Sequence, residues 1–278
     1  MKGFDGKTAV ITGGASGIGR AIAERCVKEG INIVLADIEE KALNNAKAEL
    51  ETKGASIIAV KTDVSKAEDI ETLADKTIET FGEVHLLFNN AGVGCPGSIW
   101  EHTVNDWKWV LGVNLWGIIH GVRVFTPIML EQNTDCHIVN SASIAGLKYN
   151  TYMGPYSVSK FGIVSLSESL YLELLELESK VKVSVLCPGF VNTRMGDSVR
   201  NRPVGLMDPV GSVSAKGLEK MRSLMSMANA GMSSEKVAEK VFHAINEERF
   251  YVITHKDSFE DIEKRMNCIL QERNPTLL

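Results

Sequence analysis

The sequence predicts a doubly wound α/β fold, with a mostly parallel sheet and one domain over residues 1–278. Short apolar runs recur along the chain with helical patterns between them, the order expected when each parallel strand is followed by a helix. A glycine-rich turn joins the first apolar run to the first helical pattern. Hydrophobic residues make up 44% of the chain, which is enough to fill the core of such a fold.

The first strand, turn and helix form a candidate phosphate-binding unit. Residues 7–12 are an apolar run typical of a buried parallel strand, and residues 20–29 follow the turn as an amphipathic helix. Gly13 permits the tight turn, while Gly17 and Gly19 leave room for a pyrophosphate and for the neighbouring strand. The helix N-terminus adds free N–H groups, so this unit predicts a dinucleotide site.

The second strand, residues 31–37, ends in an acidic side chain. An acid about 20 residues beyond such glycines typically accepts hydrogen bonds from the adenosine ribose. The carboxylate of Asp37 would repel a 2′-phosphate, and position 16 is a serine, so no basic side chain stands beside Gly17. These residues favour NAD over NADP. The alternative is that Asp37 only closes the turn after the strand.

Further apolar runs continue the alternation of strands and helices; they are residues 57–60, 84–88, 138–143, 181–187 and 249–254. Residues 104–132 are a helical region that Gly112, Asn114 and Gly117 interrupt, so we expect a kink that contains Asn114. Ligands of a doubly wound sheet bind at the carboxyl ends of its strands, and the candidate site residues fall near those ends.

Tyr156 and Lys160 are four residues apart, and Ser143 lies thirteen residues before the tyrosine. On a helix, such a pair shares one face and brings the phenol beside the ammonium. A free phenol has a pKa of about 10, so we expect the positive charge of Lys160 to lower the pKa of Tyr156. The hydroxyl of Ser143 would hold a carbonyl or alcohol oxygen next to the phenol. Taken without the other motifs, the pair could instead be two side chains on a solvated helix face.

Taken together, these motifs resemble those of the short-chain dehydrogenases/reductases, in their shorter single-domain branch with a Rossmann-like fold. The resemblance covers roughly residues 7–193, with TGxxxGIG at 12–19, NNAG at 89–92 and YxxxK at 156–160. It implies that the cofactor NAD is held by Gly13, Ser16, Gly17, Ile18, Gly19, Asp37, Asp63, Val64, Asn90, Tyr156, Lys160, Pro188, Gly189, Val191 and Thr193.

The same resemblance implies a catalytic group of Asn114, Ser143, Tyr156 and Lys160. In this family the tyrosine exchanges a proton with the substrate oxygen, and the lysine also binds the nicotinamide ribose. The serine orients the substrate oxygen, and the asparagine anchors a water of the proton relay. The implied activity is hydride transfer between NAD and a secondary alcohol or ketone.

Residues 195–232 follow the PG motif, where the family places its substrate lid. The segment holds six of the ten methionines, which are flexible side chains that suit apolar ligands of varied shape. We therefore expect a hydrophobic substrate, steroid-like or lipid-derived, with a small polar alcohol as the alternative. The methionines could instead only pack the lid onto the sheet. Other apolar candidates for the pocket wall are Trp100, Ile144, Leu147, Tyr149, Tyr152 and Met153.

The helix expected over residues 156–180 carries leucines on more than one face. A second copy of this helix would cover so wide an apolar surface, and the family commonly dimerises through this region. Many tetrameric members end in an Asp-Gly-Gly tail, but here residues 257–278 form a charged helical tail. We therefore expect a homodimer, with a homotetramer as the alternative.

Composition argues against several other classes of protein. A net charge of −5 disfavours nucleic-acid binding, and the six histidines show no ligand spacing, so we predict no metal. We expect no membrane span and no signal peptide, because no long apolar run occurs and the first strand begins by residue 8. Five cysteines without a CxxC pair indicate a reducing, cytoplasmic location.

Two further function classes remain as alternatives. One is a catalytically silent NAD-binding regulatory protein, although a sensor would not need the catalytic group. The other is an epimerase or dehydratase of the family's longer branch. That branch usually has a GxxGxxG loop and a larger C-terminal domain, whereas this chain has GxxxGxG and too little room.

Overall fold

The computed structural model of the protein describes residues 3–208 and 215–277. Within these residues, seven parallel strands form one sheet in the order β3-β2-β1-β4-β5-β6-β7. The strands are β1 (Thr8–Thr12), β2 (Asn32–Asp37), β3 (Ile57–Lys61), β4 (Leu86–Asn89), β5 (Cys136–Ser141), β6 (Val181–Cys187) and β7 (Tyr251–Ile253). The helices are α1 (Gly17–Lys28), α2 (Glu40–Glu51), α3 (Ala67–Phe81), α4 (Val104–Leu111), α5 (Gly117–Gln132), α6 (Gly154–Glu176), α7 (Ala215–Asn229), α8 (Ser234–Asn246) and α9 (Phe259–Leu270).

The strand order reverses between β1 and β4, which pair side by side in the sheet. The chain leaves these two strands in opposite directions across the sheet, so a crevice opens beyond their carboxyl ends. The glycine-rich turn follows β1 and the NNAG turn follows β4, and both therefore border this crevice. The doubly wound parallel fold expected from the sequence is confirmed.

Two apolar layers cover the faces of the sheet. Successive residues of β1 point to opposite faces, so Ile11 packs in one layer with Phe242 of α8, and Val10 packs in the other with Phe125 of α5. Because both faces are covered, all five residues of β1 are buried. This explains why the first strand reads as a continuous apolar run rather than an alternating one.

One helical stretch among the described residues, Val104–Gln132, is long and apolar enough to cross a membrane by length and composition. The sequence had suggested that no such segment exists. The stretch comprises α4, a π-helical turn and α5, and it packs against β4, α3 and α6. Packing against these elements buries part of its apolar surface.

The structure refines several predicted elements. The expected interruption at Asn114 is a π-helical turn over Gly112–Trp116. Helix α6 ends at Glu176, earlier than expected, and Glu178 takes a left-handed φ of 52°. The C-terminal tail is helical only over Phe259–Leu270. In the expected lid, residues 195–232, the structure has 3₁₀ turns followed by α7, and residues 209–214 lie outside the described part.

Candidate active site

The expected site residues line a two-part cleft at the carboxyl ends of the strands. The first part is a cavity of about 150 Å³ lined by Gly13, Ser16, Gly17, Ile18, Asp37, Asp63, Val64, Asn90 and Thr193. The second is a cavity of about 390 Å³ lined by Ser143, Tyr156, Lys160, Pro188, Gly189 and Val191. Both parts are lined by Ile18, Asn90, Thr193 and Met195, so they form one continuous cleft.

The glycine-rich turn needs its glycines for two different reasons. Gly13 and Gly17 have left-handed φ values of 62° and 55°, which other residues adopt only with strain. At Gly19 the reason is contact, because a Cβ there would lie 2.2 Å from the carbonyl oxygen of Gly13. The amide of Asn90 donates to the carbonyl oxygens of Thr12 (3.1 Å) and Gly13 (3.3 Å), which ties the NNAG turn to this loop.

Asp37 lies at the end of β2, beside the glycine-rich turn. Its carboxylate accepts hydrogen bonds from the backbone N–H groups of Ala15 (3.1 Å) and Glu39 (3.0 Å). Burial raises the pKa of Asp37, and these two hydrogen bonds oppose that effect. The carboxylate is thus held by the backbone at the edge of the first cavity, where the sequence predicts a ribose contact.

Two basic side chains that the sequence did not place near the cofactor loop also line the first cavity. Arg194 and Arg200 come from the segment after β6. Arg200 donates to one carboxylate oxygen of Glu39 from Nε (3.0 Å) and Nη2 (2.7 Å), and the amide of Asn201 donates to the same oxygen (2.9 Å). Burial and these hydrogen bonds act on Glu39 in opposite directions, and the net effect lowers its pKa. This ion pair joins the lid segment to the loop after β2.

The loop after β3 is fixed at the floor of the first cavity. The carboxylate of Asp63 accepts hydrogen bonds from the hydroxyl (2.6 Å) and the backbone N–H (3.1 Å) of Ser65. The backbone N–H of Asp63 donates to the carboxylate of Asp69 (2.8 Å). A Cβ at Gly117 would lie 2.8 Å from the side chain of Val64. The glycine therefore permits the π-helical turn to approach this loop closely.

Ser143, Tyr156 and Lys160 meet in the second cavity. The Ser143 hydroxyl donates to the carbonyl oxygen of Pro188 (3.3 Å) and accepts from the N–H of Ala145 (3.1 Å). The ammonium of Lys160 donates to the carbonyl oxygen of Ser141 (2.8 Å) and lies 5.4 Å from the centre of the Tyr156 ring. The helical pairing of phenol and ammonium expected from the sequence is confirmed.

The expected effect of Lys160 on the pKa of Tyr156 is corrected by the structure. Burial raises the pKa of Tyr156, and the opposing influence comes from a hydrogen bond with the hydroxyl of Ser143. Burial also lowers the pKa of Lys160 to about 8, because an ammonium is poorly solvated there. Desolvation of both groups, which a helical spacing does not reveal, therefore dominates over their mutual attraction.

Asn114 is fully buried behind the second cavity rather than in its wall. Its side-chain oxygen accepts from the N–H of Val93 (2.8 Å), and its amide donates to the carbonyl of Val93 (3.0 Å) and the hydroxyl of Ser159 (3.1 Å). Ser159 in turn donates to the carbonyl oxygen of Tyr156 (2.6 Å). The π-helical turn thus connects the segment after β4 to the catalytic turn of α6.

Hydrogen bonds fix the PG motif, residues 188–189, on both of its sides. The carbonyl of Pro188 accepts from the N–H of Ile144 (2.9 Å) as well as from Ser143. The N–H of Gly189 donates to Nδ1 of His255 (3.0 Å), and a Cβ at Gly189 would lie 2.7 Å from that ring. The hydroxyl oxygen of the adjacent Thr254 lies 2.6 Å from the same nitrogen. His255 lies 66 residues beyond Gly189 in the chain, and no sequence pattern predicted that it supports this turn.

The apolar wall of the second cavity agrees only partly with expectation. Ile144 and Met153 line it, together with Leu224 and Met225 from the lid. The other expected side chains, Leu147, Tyr149, Tyr152 and Trp100, do not line it. Trp100 is 82% exposed, because the loop after β4 turns its indole into solvent.

Three possible metal ligands lie together beside the cleft. Sulfur, nitrogen and oxygen atoms of Cys95, His102 and Asp106 fall within 4.8 Å of one another. However, the carboxylate of Asp106 already accepts from the guanidinium of Arg202 (2.6 Å) and the N–H of Thr103 (2.9 Å). Burial, reinforced by Asp106, raises the pKa of Cys95 to about 12 and keeps the thiol protonated. We interpret the group as a structural network, and the expectation of no metal stays a prediction.

Comparison with known proteins finds relatives that are named dehydrogenases or reductases. A family model described as short chain dehydrogenase matches residues 7–203. The CLA biosynthesis dehydrogenase/reductase of Lactiplantibacillus plantarum is 34% identical over 99% of this chain and 97% of its own length. The C alpha-dehydrogenase of a Sphingobium species is 33% identical over 99% of this chain and 89% of its own length.

A solved structure shares the whole fold. The crystal structure of a short chain dehydrogenase/reductase from Burkholderia phymatum in complex with NAD has a TM-score of 0.98 and 46% sequence identity. The match covers 100% of this chain and 99% of that one. The likeness therefore includes the C-terminal tail as well as the sheet.

Proposed function

Because the chain belongs to the short-chain dehydrogenase/reductase family, we propose that it transfers a hydride between NAD and a hydrophobic secondary alcohol or ketone. The observation that carries the proposal is the meeting of Ser143, Tyr156 and Lys160 in one cavity that is continuous with the cavity beside the glycine-rich turn. The Burkholderia phymatum relative binds NAD, which supports the same cofactor here.

The residues of the first cavity fit a dinucleotide. The left-handed Gly13 and Gly17 leave the backbone bare where a pyrophosphate approaches, and Gly19 lets the turn fold closely onto its own backbone. Asp37 is oriented by two backbone N–H groups and is available to a ribose diol. The carboxylates of Asp37 and Glu39 both disfavour a 2′-phosphate, and Arg200 is engaged by Glu39. This arrangement supports NAD over NADP.

When bound, NAD would supply the hydride acceptor or donor. Tyr156 protonates the carbonyl oxygen in reduction and takes the proton from the alcohol in oxidation. Burial raises its pKa, so at neutral pH Tyr156 holds its proton and is in the form that reduction requires, whereas oxidation requires the phenolate. Ser143, hydrogen-bonded to the phenol, orients the substrate oxygen.

Two further residues, Lys160 and Asn114, support the role of Tyr156. With a pKa of about 8, the buried ammonium is able to exchange a proton near neutral pH, and it would hold the nicotinamide ribose when NAD is bound. Asn114 fixes the turn of α6 that carries Tyr156, through Ser159. We also propose that it anchors a water that passes protons to solvent.

The second cavity supports a hydrophobic substrate. Its wall near the catalytic group is formed by Ile144, Met153, Phe190, Leu224 and Met225. A small polar alcohol would leave much of a cavity of about 390 Å³ unfilled and would gain little from these side chains. This reasoning favours a substrate with an apolar body over the small-alcohol alternative.

The test is initial-rate measurement of NAD reduction across hydroxysteroids, long-chain secondary alcohols and small polyols, followed by the matching ketones with NADH. Tyr156→Phe should lower kcat by about three orders of magnitude and leave NADH binding intact, because only the proton donor is lost. Tyr171→Phe, on the same helix, serves as the matched control and should turn over normally. Near-normal turnover by Tyr156→Phe would contradict the assignment.

Absence of turnover with every compound, despite tight NADH binding, would favour the catalytically silent regulatory protein. A marked preference for small polyols would overturn the hydrophobic substrate but keep the chemistry. The rates across the substrate panel distinguish these outcomes, so no further variant is needed.

We further propose that the protein is a cytoplasmic homodimer. Leu172 and Leu175 on α6, and Trp116 in the π-helical turn, are all more than half exposed, which leaves an apolar surface next to solvent. A second copy of α6 would cover it, and the five unpaired cysteines fit a reducing compartment. Leu175→Glu should convert the dimer to a monomer in light scattering, and a homotetramer or an unchanged mass would contradict this.

A further inference from the structure

The second cavity ends in a polar wall that the proposed chemistry does not use. Besides the catalytic group and the apolar side chains, two chain segments line this cavity, one after β5 and one after β7. These segments contribute the side chains of Lys148, Asn150, His255, Asp257, Ser258 and Asp261. A substrate that reacts at Tyr156 and fills the rest of the cavity would also contact this wall with a second part of its body.

The centre of the wall is an ion pair. The ammonium of Lys148 donates to the carboxylate of Asp261 at 2.5 Å, and the two side chains are only 19% and 27% exposed. An ammonium has three N–H donors and a carboxylate has two acceptor oxygens, so each partner retains capacity for a further hydrogen bond. Because the pair is mostly removed from solvent, such hydrogen bonds are stronger than they would be in water.

The wall is a fixed part of the protein rather than a loose tail. The guanidinium of Arg265 lies 4.7 Å from the centre of the Phe161 ring, which holds α9 against α6. Beyond α9, the N–H of Thr276 donates to the hydroxyl of Tyr149 (3.1 Å), next to Lys148. The C-terminal tail therefore completes the substrate cavity within one chain.

The charges of the wall select against an ion at the far end of the substrate. Lys148 and Asp261 already neutralise each other, so an added ion would have to displace one partner of the pair from the other. A hydroxyl can accept from the ammonium and donate to a carboxylate, and a carbonyl can accept from the ammonium.

We propose that the substrate carries a second, uncharged oxygen function at the far end of its apolar body, and that Lys148 and Asp261 determine this specificity. The inference rests on the proposed function, since it concerns the same cavity. It narrows the substrate class to apolar molecules with oxygen at both ends, such as diols, hydroxyketones or diketones.

The experiment uses a matched series of ten-carbon secondary alcohols and their ketones, whose far ends carry a methyl, hydroxyl, carboxylate or ammonium group; shorter and longer homologues adjust the length. Binding to the complex of the protein with NADH is measured by calorimetry, and kcat/KM is measured beside it. One further hydrogen bond to a charged group should favour the hydroxyl end over the methyl end by about tenfold. Both ionic ends should bind more weakly than the hydroxyl end.

The double variant Lys148→Met with Asp261→Asn removes the pair without leaving one charge unpartnered, and the hydroxyl preference should fall below about twofold. Lys264→Met is the matched control, since its exposed pair with Glu260 lies on the same helix outside the cavity. A preference that survives the double variant, equal binding of methyl and hydroxyl ends, or preferred binding of an ionic end would overturn the proposal. Selective binding without turnover would support this site while contradicting the proposed chemistry, so the two failures are distinguishable.

Discussion

Replacing Lys160 by methionine should reveal a free-energy cost that the catalytic site imposes on the fold. Lys160 is 3% exposed, and burial lowers its pKa from 10.5 to about 8. Because the folded-state pKa lies below the unfolded-state value, the folded protein binds fewer protons between about pH 8 and pH 10.5. The contribution of Lys160 to stability therefore rises with pH across that window.

The size of the effect follows from the same pKa values. At about pH 7, the cost of burying the ammonium is about 3 kcal/mol, and at about pH 9.5 it has fallen to about 1 kcal/mol. Methionine has no such cost but loses the hydrogen bond to the Ser141 carbonyl, which amounts to about 1–3 kcal/mol at both pH values. The stability of Lys160→Met relative to the parent should thus fall by about 2 kcal/mol between the two pH values.

Urea denaturation of both proteins at the two pH values measures this difference directly. The change with pH is independent of lost packing and of the lost hydrogen bond, since these do not titrate. Lys240→Met, at an exposed position on α8, is the control and should show no such change. A relative stability of Lys160→Met that stays constant within about 0.5 kcal/mol would refute the reasoning from burial.

Two further predictions concern the cofactor cleft. Gly19→Ala would place a methyl group 2.2 Å from a backbone carbonyl oxygen of the glycine-rich turn, so NADH affinity by fluorescence titration should fall more than about tenfold. Gly205→Ala, which meets nothing within 4 Å and needs no left-handed φ, should keep its affinity, and equal affinities of the two variants would contradict the steric argument. Glu39→Gln weakens the ion pair between the loop after β2 and the lid segment, so NADH should dissociate about three- to tenfold faster in stopped-flow. Glu40→Gln, outside the cleft, is the control, and equal rates in both variants would exclude a role for the pair.

The elements that the sequence predicted well are those in which local chain geometry decides the outcome. Strand β1, the left-handed Gly13 and Gly17, and Asp37 follow one another within a single strand–helix–strand unit. Tyr156 and Lys160 share a helix face because a helix repeats every 3.6 residues, whatever surrounds it. Where observation and prediction differ, it is in the ends of elements. Helix α6 ends earlier than predicted, because its end depends on how the last turn packs.

By itself, then, the sequence determined the doubly wound sheet, the glycine-rich turn and the helix that carries Tyr156 and Lys160, since each is specified by residues close together in the chain. The tertiary structure alone decided which distant charges meet: Arg200 reaches Glu39 across 161 positions, and Lys148 reaches Asp261 across 113. It also decided the pKa directions of the catalytic pair, because burial depends on every element that packs over them. Local spacing fixes which side chains share a face, whereas solvation and long-range pairing exist only once the layers have closed.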